Sequence, residues 1–161
     1  MKSDGKQELL LASTFGQAVR FNESDARPIG RTSRGVRGIN LKKGDSVVDM
    51  RPVQEGEQVL TITENGYGKQ TPITEYRLIN RGGKGVRNIL CTEKNGNVAG
   101  VRAVSGNEDL LLISKKGIII RTATDQISSI GRNTQGVRVM RLGEGDTVTS
   151  IAKLLQDEES I

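Results

Sequence analysis

Short apolar runs alternate with glycine-containing turns along the whole chain. The clearest runs lie at residues 9–13, 59–63 and 110–114, and a glycine follows each of them three residues later. This spacing predicts short β-strands joined by hairpins. The leucine triplets at 9–11 and 110–112 lack polar alternation, which is typical of strands that are covered on both faces.

The chain contains an internal repeat. Residues 9–50 align without gaps on residues 110–151 with 16 of 42 positions identical, and residues 59–101 form a third, more diverged copy. Equivalent positions in the three copies are 50 and then 51 residues apart, as at Gly16, Gly66 and Gly117. Four short strands per repeat are typical of the blades of a propeller or a related radial array.

The strands of one repeat follow a common order. The first run is followed by a second strand (18–21 and 118–122), a third near the valine of each Gly-Val-Arg tripeptide (Val36, Val86 and Val137), and a fourth such as 46–50. We therefore expect an all-β, propeller-like array of three four-stranded repeats of about 50 residues. We treat residues 1–161 as a single domain with flexible ends at 1–8 and 156–161, and residues 151–155 are the one candidate for a helix.

The composition excludes several chemistries. The 161 residues include one Cys, no His and no Trp, so His-based nucleophile arrangements, His-ligated metal sites and internal disulfides cannot form. The two Tyr and two Phe are too few for a base-stacking platform. The apolar runs are far too short to span a membrane, and the first residues do not resemble a signal peptide. We expect a cytoplasmic protein without a cofactor, a metal or a small-molecule substrate.

The net charge of +5 and the pI of about 9.6 favour a polyanionic partner. The cations recur at equivalent positions of the three repeats. Each repeat has three such positions, spaced three residues apart and ending at the arginine of the Gly-Val-Arg tripeptide, and eight of these nine positions are cationic. A single such segment is most simply a solvated turn, but three registered segments predict a cationic track along one part of the array. The eight positions are Arg31, Arg34 and Arg37, then Arg81, Lys84 and Arg87, then Arg132 and Arg138.

A track of separated cationic clusters suits a long, bent polyanion better than a small phosphate ligand. Duplex DNA that is held through its backbone, without base readout, is the natural candidate. Arg20, Lys69 and Arg121 are second-line candidates for the same contacts. Glycines beside the cations would allow backbone N–H groups to approach an anion closely.

These segments resemble a known family. The strings Gly30-Arg31-Thr32-Ser33-Arg34-Gly35-Val36-Arg37-Gly38, Glu64-Asn65-Gly66-Tyr67-Gly68-Lys69 and Ser129-Ile130-Gly131-Arg132-Asn133-Thr134-Gln135-Gly136-Val137 are similar to the C-terminal DNA-wrapping domain of the DNA gyrase A protein. The likeness to the topoisomerase IV counterpart is weaker. The resemblance extends over residues 9–152, nearly the whole chain.

The resemblance implies a β-pinwheel, a propeller-like array whose blades exchange strands and whose basic rim bends DNA. It also implies a role in ATP-dependent negative supercoiling, with the rest of the gyrase A protein and the gyrase B protein as partners in an A2B2 enzyme. The catalytic Tyr module of that enzyme is absent, so this chain is expected to cut no DNA. The family's seven-residue box is matched at Arg81, Gly82, Gly83, Lys84 and Gly85, but Ile79 and Asn80 replace its opening Gln and basic residue.

One alternative remains open at this point. A propeller-type interaction module with a basic rim that meets an acidic protein partner fits the same charge pattern. It predicts no preference for long duplexes, whereas a DNA-bending rim predicts one.

Overall fold

The computed structural model describes residues 2–155, and the predicted flexible end at 156–161 lies outside this range. Each repeat begins with an antiparallel hairpin that closes at a glycine with positive φ. A single turn of 3-10 helix follows, at Glu23–Asp25, Ile73–Glu75 and Thr124–Gln126. The hairpins are β1 (Glu8–Ser13) with β2 (Gln17–Asn22), β4 (Gln58–Thr63) with β5 (Tyr67–Pro72), and β8 (Glu108–Ser114) with β9 (Ile119–Ala123).

The last strand of each repeat returns to pair with the first. These strands are β3 (Val47–Val53), β7 (Val98–Val104) and β11 (Val148–Leu155), each antiparallel to the opening strand of its own repeat. The possible helix at 151–155 is therefore wrong. The segment is too short to form a stable helix alone, and pairing with β8 satisfies its backbone groups instead.

The remaining strands are exchanged between repeats. β6 (Val86–Arg87) lies in the second repeat but pairs with β2 of the first, and β10 (Val137–Arg138) of the third repeat pairs with β5 of the second. The sheet orders are β3-β1-β2-β6, β7-β4-β5-β10 and β11-β8-β9. The strand exchange that the resemblance implied is thus confirmed, and so is the all-β fold.

The exchange corrects two details of the expected pattern. The third sheet has three strands in the described part of the chain, not four, and Val36 does not lie in a strand. Both differences have one cause, because the outermost strand of a sheet comes from the following repeat. Within residues 2–155, no repeat follows the third, and none precedes the first to accept the segment at Val36.

The core is built in layers between successive sheets. One cluster joins the first and second sheets, a second joins the second and third, and a third covers the outer face of the first sheet. Leu10 belongs to the first cluster, whereas Leu9 and Leu11 belong to the third, so β1 is covered on both faces as predicted. Each repeat thus depends on its neighbours for burial.

The three sheets also meet at a half-buried guanidinium. Arg102, on β7, contacts Asp49 of the first repeat through Nη1 at 2.7 Å, and its Nη2 donates to the carbonyl oxygen of Ile151 at 2.6 Å. These contacts tie the final strands of all three repeats together. The described residues contain no helix long and apolar enough to cross a membrane.

Candidate nucleic-acid interface

The predicted cations lie in three segments, of which the second and third form outer edges of sheets and the first lies outside any strand. We call residues 31–37, 81–87 and 132–138 the rim segments, because the second and third of them contain the outermost strands β6 and β10. Six of the eight cations are exposed, and Arg81 and Arg132 are half-buried. The eight are called the rim cations below: Arg31, Arg34, Arg37, Arg81, Lys84, Arg87, Arg132 and Arg138.

Successive rim segments are in direct contact. Nη1 of Arg81 donates to the carbonyl oxygen of Arg37 at 3.0 Å, and Nη1 of Arg132 donates to that of Arg87 at 2.8 Å. In the second and third rim segments, the first arginine therefore hydrogen-bonds the backbone carbonyl of the last arginine in the preceding segment. This equivalence brings the three clusters together into one continuous strip.

The rim cations keep their charge uncompensated. Among residues 2–155, ion pairs within 4.0 Å engage Arg20, Arg51, Arg102 and Arg121, and none of the rim cations. The hydrogen bonds of Arg81, Arg87, Arg132 and Arg138 go to carbonyl, amide or phenol oxygens, which carry no full negative charge. The strip is therefore a net positive surface that is open to phosphate oxygens.

The glycines of the box-like segment serve packing between repeats. The N–H of Gly82 donates to the carbonyl oxygen of Gly38 at 2.7 Å, so it is not available to an anion. A Cβ on Gly85 would collide with the carbonyl oxygen of Ala18 on the neighbouring strand β2. The missing side chains let two repeats approach closely, and the expected role of Gly82 in cradling an anion is corrected on this ground.

Lys69 is not at the surface, and the expectation that it contacts DNA is wrong. Its side chain is fully buried on β5, where Nζ donates to Oγ1 of Thr71 at 3.0 Å and to the carbonyl oxygen of Gly131 at 2.9 Å. Burial, together with the nearby charge of Arg132, lowers the pKa of Lys69 to about 8. The repeat carried this signal, because the equivalent positions are the apolar Val19 and Ile120.

Arg20 and Arg121, the other two second-line candidates, are both held by carboxylates. The Arg20 guanidinium bonds Glu8 at 2.5 Å and also donates to the carbonyl oxygens of Ile73 and Tyr76, so it braces the junction between the first two repeats. Arg121 is more exposed but lies 2.6 Å from Asp109. Neither side chain belongs to the continuous strip.

Sequence reasoning missed an aromatic contact at the end of the strip. Arg138 packs over the ring of Tyr67 with its guanidinium carbon 5.4 Å from the ring centre, and it donates to the phenol oxygen at 3.0 Å. Lys94 lies over the same ring at 5.6 Å. A cation–π pair of this kind orients a guanidinium without neutralising it. The pairing of Tyr67 with Arg138 across β5 and β10 follows from the strand exchange, which local sequence patterns do not indicate.

The fold and the strip define a class of protein: a propeller-like array of strand-exchanging blades with a basic rim. Comparison with known proteins gives the family. The description "DNA gyrase C-terminal domain, beta-propeller" matches residues 7–54, 57–105 and 108–154, one match for each repeat. The chain belongs to this family.

Curated relatives agree with the assignment. The chain is 45% identical over 158 residues to the DNA gyrase A protein of Staphylococcus epidermidis (strain ATCC 12228 / FDA PCI 1200) and 45% identical over 159 residues to that of Staphylococcus aureus (strain NCTC 8325 / PS 47). These alignments cover 97% and 98% of the chain but 18% of each relative. The chain thus spans less than a fifth of the length of these proteins.

Two solved structures share the fold. A DNA gyrase A C-terminal domain superposes with a TM-score of 0.87 at 32% identity, covering 93% of this chain and 51% of that one. The C-terminal domain of a DNA topoisomerase IV superposes with a TM-score of 0.89 at 27% identity, covering 95% and 48%. In both, the three repeats correspond to about half of the larger domain.

Proposed function

We propose that this chain binds duplex DNA through its phosphate backbone and bends it along the strip of rim cations. The observation that carries the proposal is the continuity of the strip: three equivalent segments are joined by arginine–carbonyl hydrogen bonds, and carboxylates neutralise none of their charges within the described residues. Binding would proceed by ion pairing and counterion release, without base readout.

The family match supports a role for this activity within a larger enzyme. The curated relatives are DNA gyrase A proteins. We infer that the chain acts as a DNA-wrapping module of a type IIA topoisomerase in the bacterial cytoplasm, with the remainder of the gyrase A protein and the gyrase B ATPase as partners. The module would position DNA for strand passage and perform no cleavage itself. The described residues contain no group of three or more His, Cys, Asp or Glu side chains that is arranged to hold a metal ion.

The first test measures affinity for duplexes of about 20 and 140 base pairs across a salt series. Eight phosphate contacts predict a slope of log K against log salt near −7, at about 0.9 per contact. We expect tighter binding to the longer duplex, per available site, because only that duplex can follow the strip. Weak, length-independent binding with a shallow slope would overturn the proposal and favour an acidic protein partner.

Charge reversal locates the binding surface. Arg34 and Lys84 occupy equivalent positions in the first and second rim segments, and both residues are exposed. We expect Arg34→Glu with Lys84→Glu to lower DNA affinity by about tenfold or more and to reduce the salt slope by about 2. Lys2→Glu with Lys6→Glu makes the same change in net charge at exposed positions outside the rim segments, and it serves as the control. Equal losses in the two double variants would show that net charge alone governs binding.

A further inference from the structure

A cleft lies between the second and third repeats, beside Arg138 of the strip. Its volume is about 470 Å³, and its lining residues all lie between residues 65 and 146. Tyr67 and Met140 are buried in its wall, at 6% and 2% exposed, and its cations are Lys94, Arg138 and Arg141. We call this site the Tyr67 cleft.

Backbone hydrogen bonds between the two repeats shape the cleft. The carbonyl oxygen of Gly66, in the turn between β4 and β5, accepts the N–H groups of the two residues that follow Arg138, at 2.8 and 3.0 Å. Arg138 therefore lies over the ring of Tyr67, and Lys94, in the turn before β7, lies over the same ring. The two repeats thus bring cations to one aromatic side chain, and Arg141 follows three residues after Arg138.

The three cations of the cleft are not paired with carboxylates. None of them takes part in an ion pair within 4.0 Å among residues 2–155. Among the described residues, the one carboxylate that lines the cleft is that of Asp146, whose Oδ1 accepts the backbone N–H groups of Lys116 and Thr147 at 3.0 and 2.9 Å. Three cations against one carboxylate leave the cleft positive, and a concave positive site attracts an anion.

The chemistry of the cleft suits a phosphate group. Two guanidinium groups and an ammonium group can each donate to phosphate oxygens. The N–H groups of Gly143 and Gly145, in the exposed turn that lines the cleft, donate to no acceptor within residues 2–155. The ring of Tyr67 is 6% exposed and is covered by its cations, so it cannot stack on a base. A backbone phosphate is therefore a better ligand for this cleft than a nucleobase.

The arrangement is specific to the second of the two junctions. At the junction between the first and second repeats, the positions equivalent to the ring, the lysine and the last arginine carry neither a charge nor an aromatic ring: Gln17, Gly44 and Leu90. The repeat alone therefore does not explain why three cations meet at the Tyr67 cleft.

The third rim segment differs from the first two in a matching way. Gln135 stands where the other segments have Arg34 and Lys84, and its Oε1 accepts a hydrogen bond from Oγ1 of Thr92 at 3.0 Å. Its side chain is thus used between repeats and supplies no charge to the strip. Arg141 continues the spacing of three residues at the other end of the segment, so the cations of the third repeat are displaced towards the cleft.

We propose that the Tyr67 cleft binds a phosphate group of the same duplex that lies along the strip. The proposal rests on the proposed DNA binding and adds a contact outside the rim segments. Arg138 belongs to both surfaces and makes them continuous, Lys94 and Arg141 supply the two additional charges, and the phenol oxygen of Tyr67 holds Arg138 in place. The DNA path therefore turns at the second junction from the rim towards the hairpin of β4 and β5.

The test is the salt dependence of binding to the duplex of about 140 base pairs for Lys94→Gln with Arg141→Gln. We expect the slope of log K against log salt to fall by about 1.8, at about 0.9 per contact, and the affinity to fall by about tenfold. Both side chains are exposed and take part in no ion pair within residues 2–155, so the variant should fold normally, as circular dichroism will verify.

The matched control is Lys42→Gln with Lys43→Gln. Lys43 precedes β3 by four residues, as Lys94 precedes β7, and both control lysines are exposed. The control makes the same change in net charge at a turn where Gln17 stands in place of Tyr67. We expect its slope to match that of the unmodified chain. Equal losses in the two double variants would show that charge near the turns, and not the cleft, governs binding, which overturns the proposal.

Failure of the cleft and failure of DNA binding give different results. A shallow slope for the unmodified chain contradicts the proposed function itself. A steep slope that Arg34→Glu with Lys84→Glu reduces, but that the cleft variant retains, overturns the cleft alone.

A free phosphate ion is the other source of the same chemistry. Thermal unfolding in inorganic phosphate and in chloride, at equal ionic strength and without DNA, separates the two. A stabilisation by phosphate that the cleft variant loses, together with an unchanged slope for DNA, would assign the cleft to the free ion and overturn the proposal.

Tyr67→Phe tests the positioning role of the phenol. The variant keeps the ring under Arg138 and Lys94 but removes the oxygen to which Arg138 donates at 3.0 Å. We expect the affinity for DNA to fall by about threefold while the salt slope stays the same, because no cation is lost. An affinity equal to that of the unmodified chain would show that the phenol does not position Arg138 for the phosphate.

Discussion

Two sets of cations occupy different regions of this molecule. Arg20, Lys69 and Arg102 lie between or within the sheets, where carboxylates and carbonyl oxygens take up their hydrogen bonds. The rim cations lie in the three rim segments and form no ion pair within 4.0 Å with a carboxylate among the described residues. Residue type does not separate the sets, since arginine and lysine occur in both.

The difference teaches that position in the repeat decides what a cation does. A guanidinium in the interior must be paired, because an uncompensated buried charge is costly, and it therefore contributes to folding. A guanidinium on the rim remains hydrated and can exchange water for phosphate. Substitutions in the first set should change stability with little effect on DNA binding, and substitutions in the second set should do the reverse.

The largest effect on stability is expected at Arg102. Replacing it by Met removes the bond to Ile151 and leaves Asp49, whose side chain is 16% exposed, with Arg51 as its remaining charged partner beside the backbone N–H groups of Met50 and Val101. We expect Arg102→Met to lower the free energy of unfolding by about 2–4 kcal/mol, measured by urea denaturation. The DNA affinity of the folded variant should not change.

A double-mutant cycle isolates the ion pair. Adding Asp49→Asn to Arg102→Met removes the carboxylate that the single variant leaves poorly compensated, so part of the lost stability should return. A double variant whose loss equals the sum of the two single losses would show that the pair does not couple the first two repeats.

An effect of intermediate size is expected at Lys69. Its pKa of about 8 in the folded chain lies below the ordinary value of 10.5, so the folded state disfavours the proton. The penalty is fully present below pH 8 and is relieved as the pH rises towards 10.5. Lys69→Met should therefore raise the free energy of unfolding by about 1–2 kcal/mol at pH 7, after allowance for partial solvent screening.

The free energy of unfolding of Lys69→Met should exceed that of the unmodified chain by less and less as the pH rises from 8 to 10. The difference between the two proteins is the quantity to follow, because burial raises the pKa of Tyr76 and of Cys91, and both groups affect each protein alike at alkaline pH. A difference that stays constant across this range would show that Lys69 is not desolvated. Val19→Met, at the equivalent apolar position of the first repeat, is the control and should show no such pH dependence.

Much of the fold follows from the repeat. The hairpins, their glycine turns and the rim segments were predictable because equivalent positions recur at spacings of 50 and 51 residues. The strand exchange was implied only by the family resemblance, since pairing between Val86 and Ala18 depends on contacts that local patterns do not encode. The same exchange explains why Val36, with an identical local sequence signature, is not a strand.

The candidate site was predictable in composition but not in pairing. The recurrence of cations at equivalent positions predicted the rim segments. It did not distinguish Lys84, which is exposed, from Lys69, which is buried. That distinction depends on which face of the strand meets the next sheet. The apolar equivalents of Lys69 indicated the answer, because positions that are aliphatic in two repeats face the core in all three.

The smallest effect, and the sharpest test of the comparison, is expected at Arg121. This residue is exposed, like six of the eight rim cations, with 57% of its side chain accessible, but it is paired with Asp109 at 2.6 Å. If exposure alone makes a cation available to DNA, Arg121→Gln should reduce the salt slope of DNA binding by about 0.9, as Arg34→Gln should. We expect no change in slope for Arg121→Gln and a loss of stability of less than about 1 kcal/mol, because the carboxylate already occupies the guanidinium. Equal slopes for the two variants would mean that a surface carboxylate does not withdraw a cation from the phosphate backbone, and the strip would then extend beyond the rim segments.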